Sequence, residues 1–204
     1  MTIAVVNSGG ANISSVLHAL RRLGAEPVFT ADPALIASAD RVILPGVGAA
    51  GRAMEILREH GLVDTIRKLS QPVLGVCLGM QLLFESSEED NADLLGLIPA
   101  RLERIPKKQG LRVPHMGWNA IRNVRPDTLT DKLDENWFYF VHSFAAPVGN
   151  WTLSISTHGQ AFSAIVRQDN FYGAQFHPER SARAGAWSAT RALSTVGTTE
   201  SRSP

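Results

Sequence analysis

Three short runs in the first half of the chain, "TIAVV" (Thr2 to Val6), "RVILP" (Arg41 to Pro45) and "PVLGV" (Pro72 to Val76), are apolar at consecutive positions instead of alternating with polar ones. A strand of that kind has to be covered on both faces, as in a parallel sheet enclosed by helices. The intervening segments supply the helices. Asn12 opens a pattern in which Ile13, Val16, Leu17, Leu20 and Leu23 recur at helical spacing until Gly24. After a further strand, "PVFT" (Pro27 to Thr30), helical patterns run from about Gly51 to Glu59 and from Leu62 to Leu69, with Gly61 between them. Alternating βα units predict an α/β fold with a mostly parallel central sheet and helices on both faces.

The second half changes character. From Arg101 onward, "NAIRNV" (Asn119 to Val124), "WFYFVHSF" (Trp137 to Phe144), "WTLSIST" (Trp151 to Thr157), "AFSAIVRQ" (Ala161 to Gln168) and "FYGAQF" (Phe171 to Phe176) are separated by turn signals. They predict mixed or antiparallel strands continuing the same sheet. We expect one domain over residues 1–181. The segment from Ala182 to Pro204, rich in Ser, Thr, Ala and Arg, has few large apolar residues and is expected to be mobile.

Charge excludes several classes. With 20 basic and 19 acidic residues the net charge is +1, which gives no cationic footprint for nucleic acid. A single cysteine permits no intrachain disulfide, no signal-peptide pattern opens the chain, and no apolar run approaches the ~20 residues of a membrane helix. The expectation is a soluble, reduced, cytoplasmic protein.

That one cysteine stands in "PVLGVCLGMQ", where Gly75 and Gly79 flank Cys77 at the end of a strand, and "LGMQLLFE" is expected to continue as a helix. Gly-x-Cys-x-Gly on a strand-to-helix turn follows the logic of a nucleophile elbow, in which glycines are needed because Cβ atoms would clash. The start of a helix favours negative charge, and the Leu78 amide is placed to meet a forming oxyanion. Most lone cysteines are simply small buried residues; the paired glycines favour the nucleophile.

A thiol nucleophile needs a base. Among the six histidines, His18, His60 and His158 have adequate structural explanations as a polar helix position, a helix end and a turn. His177 is different, because Pro178 sets its direction and Glu179 lies two residues on, on the same side of an extended segment. Cys77, His177 and Glu179 therefore make a candidate triad. Taken alone, His-Pro-Glu is equally a surface turn with an ion pair to Arg180.

Gly46, Gly48 and Gly51 in "PGVGAAG" also satisfy the G-x-G-x-x-G spacing of a dinucleotide loop. The next strand, however, ends at Cys77 without the acidic residue that would hold a ribose. The loop is better used as a source of backbone N–H groups beside Cys77. No metal-ligand spacing occurs, and no cofactor is expected.

Together, "PGVG", "GVCLGMQLLFE", "VPHMGWN", "YFVHSF" and "QFHPERS" resemble the class I (triad-type) glutamine amidotransferases, most closely the glutaminase subunits of imidazole glycerol phosphate synthases. The resemblance covers Met1 to about Ser181. It implies that Cys77 attacks the glutamine carboxamide, that His177 moves the proton and that Glu179 orients His177. Leu78 with Val47 and Gly48 would hold the oxyanion, and Gln81, Glu89 and backbone at Ser143 and Phe144 would hold the amino-acid end. It further implies a cyclase partner with a (β/α)₈ barrel, in a 1:1 heterodimer that receives the ammonia for histidine biosynthesis. Asn12, Trp118, Tyr139 and Arg180 would lie near that interface, Trp118 on an exposed, partner-facing loop with His115, Met116 and Gly117. Two departures stand out: Phe144 replaces a common tyrosine, and the carboxyl end loses its amphipathic pattern after about Trp187. The alternatives are another class I amidotransferase subunit, or a partner-binding subunit impaired by the altered tail.

Overall fold

A computed structural model of the chain describes residues 1–9 and 13–178. The first half runs β1 (Ile3–Val6), α1 (Ile13–Arg22), β2 (Pro27–Thr30), α2 (Pro33–Ser38), β3 (Arg41–Leu44), α3 (Ala50–Glu59), α4 (Leu62–Arg67) and β4 (Val73–Val76). It is followed by α5 (Leu78–Gln81), β5 (Phe84–Ser87), β6 (Ile98–Arg104), β7 (His115–Ala120) and β8 (Arg122–Asn123). The last described elements are β9 (Trp137–His142), β10 (Phe144–Ala145), β11 (Thr152–His158), β12 (Gln160–Gln168) and β13 (Phe171–Ala174).

The central sheet has eight strands in the order β2-β1-β3-β4-β13-β12-β11-β8. The pairings from β2 through β13 are parallel, and those from β13 to β8 are antiparallel. The apolar runs do what their composition demands. Ala4 and Val6 of β1 pack into one core layer with Met54 and Leu57 of α3 and Ile66 of α4. Ile3 and Val5 face the other layer, with Leu20 of α1 and the aromatic rings of Phe138, Phe140, Phe162 and Phe176. The α/β architecture, with a large central sheet between helical layers, is therefore as the sequence predicts.

Three local expectations need correction. The helix after Cys77 ends at Gln81, and Phe84–Ser87 leaves as strand β5, because Leu83 O accepts from both Leu97 and Ile98 and Leu94 N donates to Glu85 O. "WFYFVHSF" divides into β9, which among the described residues pairs only with β7, and β10, which joins β6 and β5 in a separate three-stranded sheet. Only β8, β11, β12 and β13 continue the main sheet. Finally, His115 to Trp118 is not a loop but most of strand β7, with Met116 and Trp118 exposed and His115 buried. The tail at 182–204, which bears on the domain boundary, lies outside the described residues. Among the described residues no helix is long and apolar enough to cross a membrane.

Candidate active site

Beyond Val76 the backbone turns at Cys77 with φ 54° and ψ −110°, a conformation that a residue bearing a side chain adopts only under constraint. The constraint is steric. A Cβ on Gly79 would lie 1.7 Å from the Leu44 carbonyl oxygen, and one on Gly75 would lie 2.4 Å from the Gly79 oxygen. The turn can close this tightly only where both positions lack side chains. Cys77 is 7% exposed, with its Sγ 3.9 Å from the Val141 carbonyl oxygen.

His177 comes from the neighbouring strand. β13 runs parallel to β4 with Ala174 opposite Val76, and Cys77 N–H donates to the Ala174 oxygen at 2.8 Å. Just beyond, His177 N–H donates to the Tyr139 oxygen at 2.9 Å, while Phe176 stacks on Phe138 with centroids 4.0 Å apart. Cys77 and His177 line a cavity of about 300 Å³ at the carboxyl ends of β3, β4 and β13, where open parallel sheets collect ligands. Val47, Gly48, Leu78, Gln81, Glu89, Ser143 and Phe144 line the same cavity. Glu179, Arg180 and Asn12 lie outside the described residues. Trp118 and Tyr139 lie away from the cavity, facing each other across β7 and β9 with centroids 5.9 Å apart.

Among the described residues Glu89 is the one carboxylate in the lining, and its Oε2 accepts from the Ala50 amide at 2.8 Å. The carboxylate is thereby tied to the first turn of α3, immediately past the Gly46 to Gly48 loop. This also counts against a dinucleotide there, since the helix start that would take a pyrophosphate already holds a negative group. Gly48 has φ 99°, open only to glycine at little cost. The Leu78 amide donates to the Gly46 oxygen at 3.3 Å, a long bond that an incoming oxyanion would have to replace. Gln81 is buried and donates through Nε2 to the Phe144 oxygen and to Gln175 Oε1, both at 3.0 Å.

Pro114, Val141 and His142 also line the cavity and escaped the sequence reading. A signal for His142 was present: in β9 it shares the inward face with Phe138 and Phe140. Burial lowers the His142 imidazole from 6.5 to about 3, and burial with the nearby His158 lowers His115 from 6.5 to about 4.

The model of the "Glutamine amidotransferase class-I" family matches residues 4–190. The chain belongs to this family. Among curated relatives, the amidotransferase is 48% identical over 185 residues to the imidazole glycerol phosphate synthase subunit HisH of Idiomarina loihiensis, covering 91% of this chain and 93% of that one. It is 48% identical over 190 residues to the subunit of the same name from Escherichia coli K12, covering 91% and 95%. A solved structure described as PurLQS from Thermotoga maritima superposes with a TM-score of 0.74 at 19% identity, over 96% of this chain and 99% of that one, a likeness of fold.

Proposed function

We infer that this amidotransferase is the glutaminase subunit of an imidazole glycerol phosphate synthase, hydrolysing glutamine to glutamate and ammonia. The observation that carries the chemistry is the strained Cys77 elbow sharing one cavity with His177; the near-half identity to HisH subunits over most of the chain supports the pathway.

In this reading Cys77 Sγ attacks the glutamine carboxamide carbon, and His177 accepts the thiol proton and delivers it to the departing ammonia. A γ-glutamyl thioester forms, and water, deprotonated by His177, then releases glutamate and restores the thiol. Glu179 orients His177. The Leu78 amide and the Val47–Gly48 backbone stabilise the tetrahedral oxyanion once Gly46 gives way. Glu89 faces the substrate ammonium, while Gln81 and backbone at Ser143 and Phe144 hold the rest of the amino-acid end.

Ammonia passes to a cyclase partner, a (β/α)₈ barrel in a 1:1 cytoplasmic heterodimer, where it is used to make imidazole glycerol phosphate and aminoimidazole carboxamide ribotide. Trp118 and Tyr139, with Asn12 and Arg180, belong to the partner-facing side; the 50% exposure of Trp118 on a strand whose neighbour reaches the cavity supports this placement. The test is glutamate release from glutamine, with and without a cyclase and its nucleotide ligand, beside Cys77→Ala. Partner-stimulated release that vanishes in the variant is expected. Partner binding without turnover would overturn the catalytic reading.

A further inference from the structure

The buried pair His115 and His142 has no part in the chemistry above, although His142 lines the cavity. Their hydrogen bonds determine where each proton sits. His142 Nδ1 lies 2.9 Å from the Phe144 carbonyl oxygen, which can only accept, so Nδ1 carries the proton. In the neutral ring Nε2 is then an acceptor, and His115 Nδ1, 3.0 Å away, must donate to it. His115 Nε2 is left to accept from the Asn119 side-chain amide at 3.3 Å, and that same amide nitrogen also donates to the Thr157 oxygen at 2.9 Å. Each link has one donor and one acceptor with both rings neutral. Burial, together with the nearby His115, His158 and His177, opposes a second proton on His142.

The chain of bonds continues past Phe144. Its carbonyl also accepts from Gln81 Nε2 at 3.0 Å, so both oxygen lone pairs are engaged, and Gln81 donates in turn to the fully buried Gln175. A carbonyl held from two sides has its direction fixed. Removing the His142 donor frees that direction and leaves the buried His115 Nδ1 without a partner. The relay begins on β7, where His115 and Asn119 occupy the inner face while Met116 and Trp118, 65% and 50% exposed, occupy the outer one.

We propose that His115 and His142 are positioning residues for glutamine binding: a tautomer-locked relay from Asn119 fixes the Phe144 carbonyl and, through it, the Gln81 side chain in the cavity. This rests on the reading of Gln81 as a glutamine-pocket residue. The relay also gives β7 a physical route to the cavity, since a load on its outer face moves the strand that carries the first two donors.

The experiment uses the heterodimer with wild type, His115→Phe and His115→Asn. Phenylalanine keeps a ring stacked on Phe140 and His158, now at centroid distances of 5.0 and 4.1 Å, but removes the donor; asparagine restores an N–H close to the place of Nδ1. Nitrogen-15 spectra of the wild type should show two neutral imidazoles protonated on Nδ1 that stay neutral from pH 8 to 5. His115→Phe should raise KM for glutamine about tenfold with kcat within about twofold, and His115→Asn should recover most of the loss. Labelling of Cys77 by a glutamine-like chloroketone should slow in parallel, while alkylation by iodoacetamide, which needs no glutamine pocket, should keep its rate. Nε2-protonated rings, an unchanged KM in His115→Phe, or a fall confined to kcat would each overturn the relay. Failure of the chloroketone on wild type, with iodoacetamide still reacting, would instead sink the glutamine-site reading itself, and the spectra would still decide the relay.

Discussion

Cys77 and the strand that faces it are held in place by opposite means. The elbow is fixed by exclusion: Leu44 and Gly79 backbone atoms stand where side chains on Gly79 and Gly75 would be, so Cys77 has one available geometry. β9 is fixed by attachment, through stacked aromatic rings and the hydrogen bonds from its neighbours, in a two-stranded ribbon outside the main sheet. A nucleophile benefits from a site that cannot shift. A strand that carries Tyr139, proposed to face the partner, and cavity-lining groups at Val141 and His142 benefits from contacts that can be redistributed.

Replacing Cys77, the proposed nucleophile, should produce the largest effect. Cys77→Ala is expected to lower glutamate release by on the order of 10⁴-fold or more with an almost unchanged melting temperature; activity within a hundredfold of wild type would remove Cys77 from the chemistry. Next comes the elbow itself. Gly79→Ala should cost about 3 kcal/mol or more by forcing backbone apart, read as a lower urea midpoint. Gly110→Ala, at φ 79° with no atom near the added Cβ, should cost only the left-handed strain of about 1 kcal/mol. Equal losses at the two glycines would erase the distinction drawn for the elbow.

The ribbon has its own signature in pH. An imidazole whose folded pKa lies below the unfolded one gains a proton on unfolding, so stability is constant above about 7 and falls as pH drops through 6.5 toward the folded values of about 4 and about 3. Between pH 7 and 5 each ring should cost about 2 kcal/mol, less for the coupled pair than the simple sum. His115→Phe should flatten this slope in chemical denaturation at the two pH values; an unaltered slope would show that the ring is not held neutral. The smallest expected effect is at the surface. Trp118→Ala should weaken partner binding by about 1–2 kcal/mol in titration calorimetry while shifting the melting temperature little, and full retention of affinity would move the partner elsewhere.

The elbow and the parallel half were legible because their causes are local. Consecutive apolar residues in β1, β3 and β4 demand cover on both faces whatever lies next to them, and glycine spacing around Cys77 signals a tight turn at any position in a sheet. His177 was legible for a related reason, through the short pattern "QFHPE". The ribbon was not. Alternation in "WFYFVHSF" says that Phe138, Phe140 and His142 share a face but cannot say which strand β9 pairs with, and the run was assigned to the main sheet. His115 was likewise given to an exposed loop because His, Met, Gly and Trp in succession suggest surface, whereas pairing opposite His142 buries it.

By itself, the sequence determined the fold class, the tight turn at Cys77 and the family, each of which is written in short patterns of neighbouring residues, the family in several of them along the chain. Tertiary structure alone decided that Glu89 is tied to the start of α3, that the Phe144 carbonyl accepts from both His142 and Gln81, and that β9 carries groups for the cavity and for the opposite face. The physical reason is range. Sterics and apolar periodicity act within a few residues, but a buried polar group chooses its partner from whatever the completed fold places within about 3 Å.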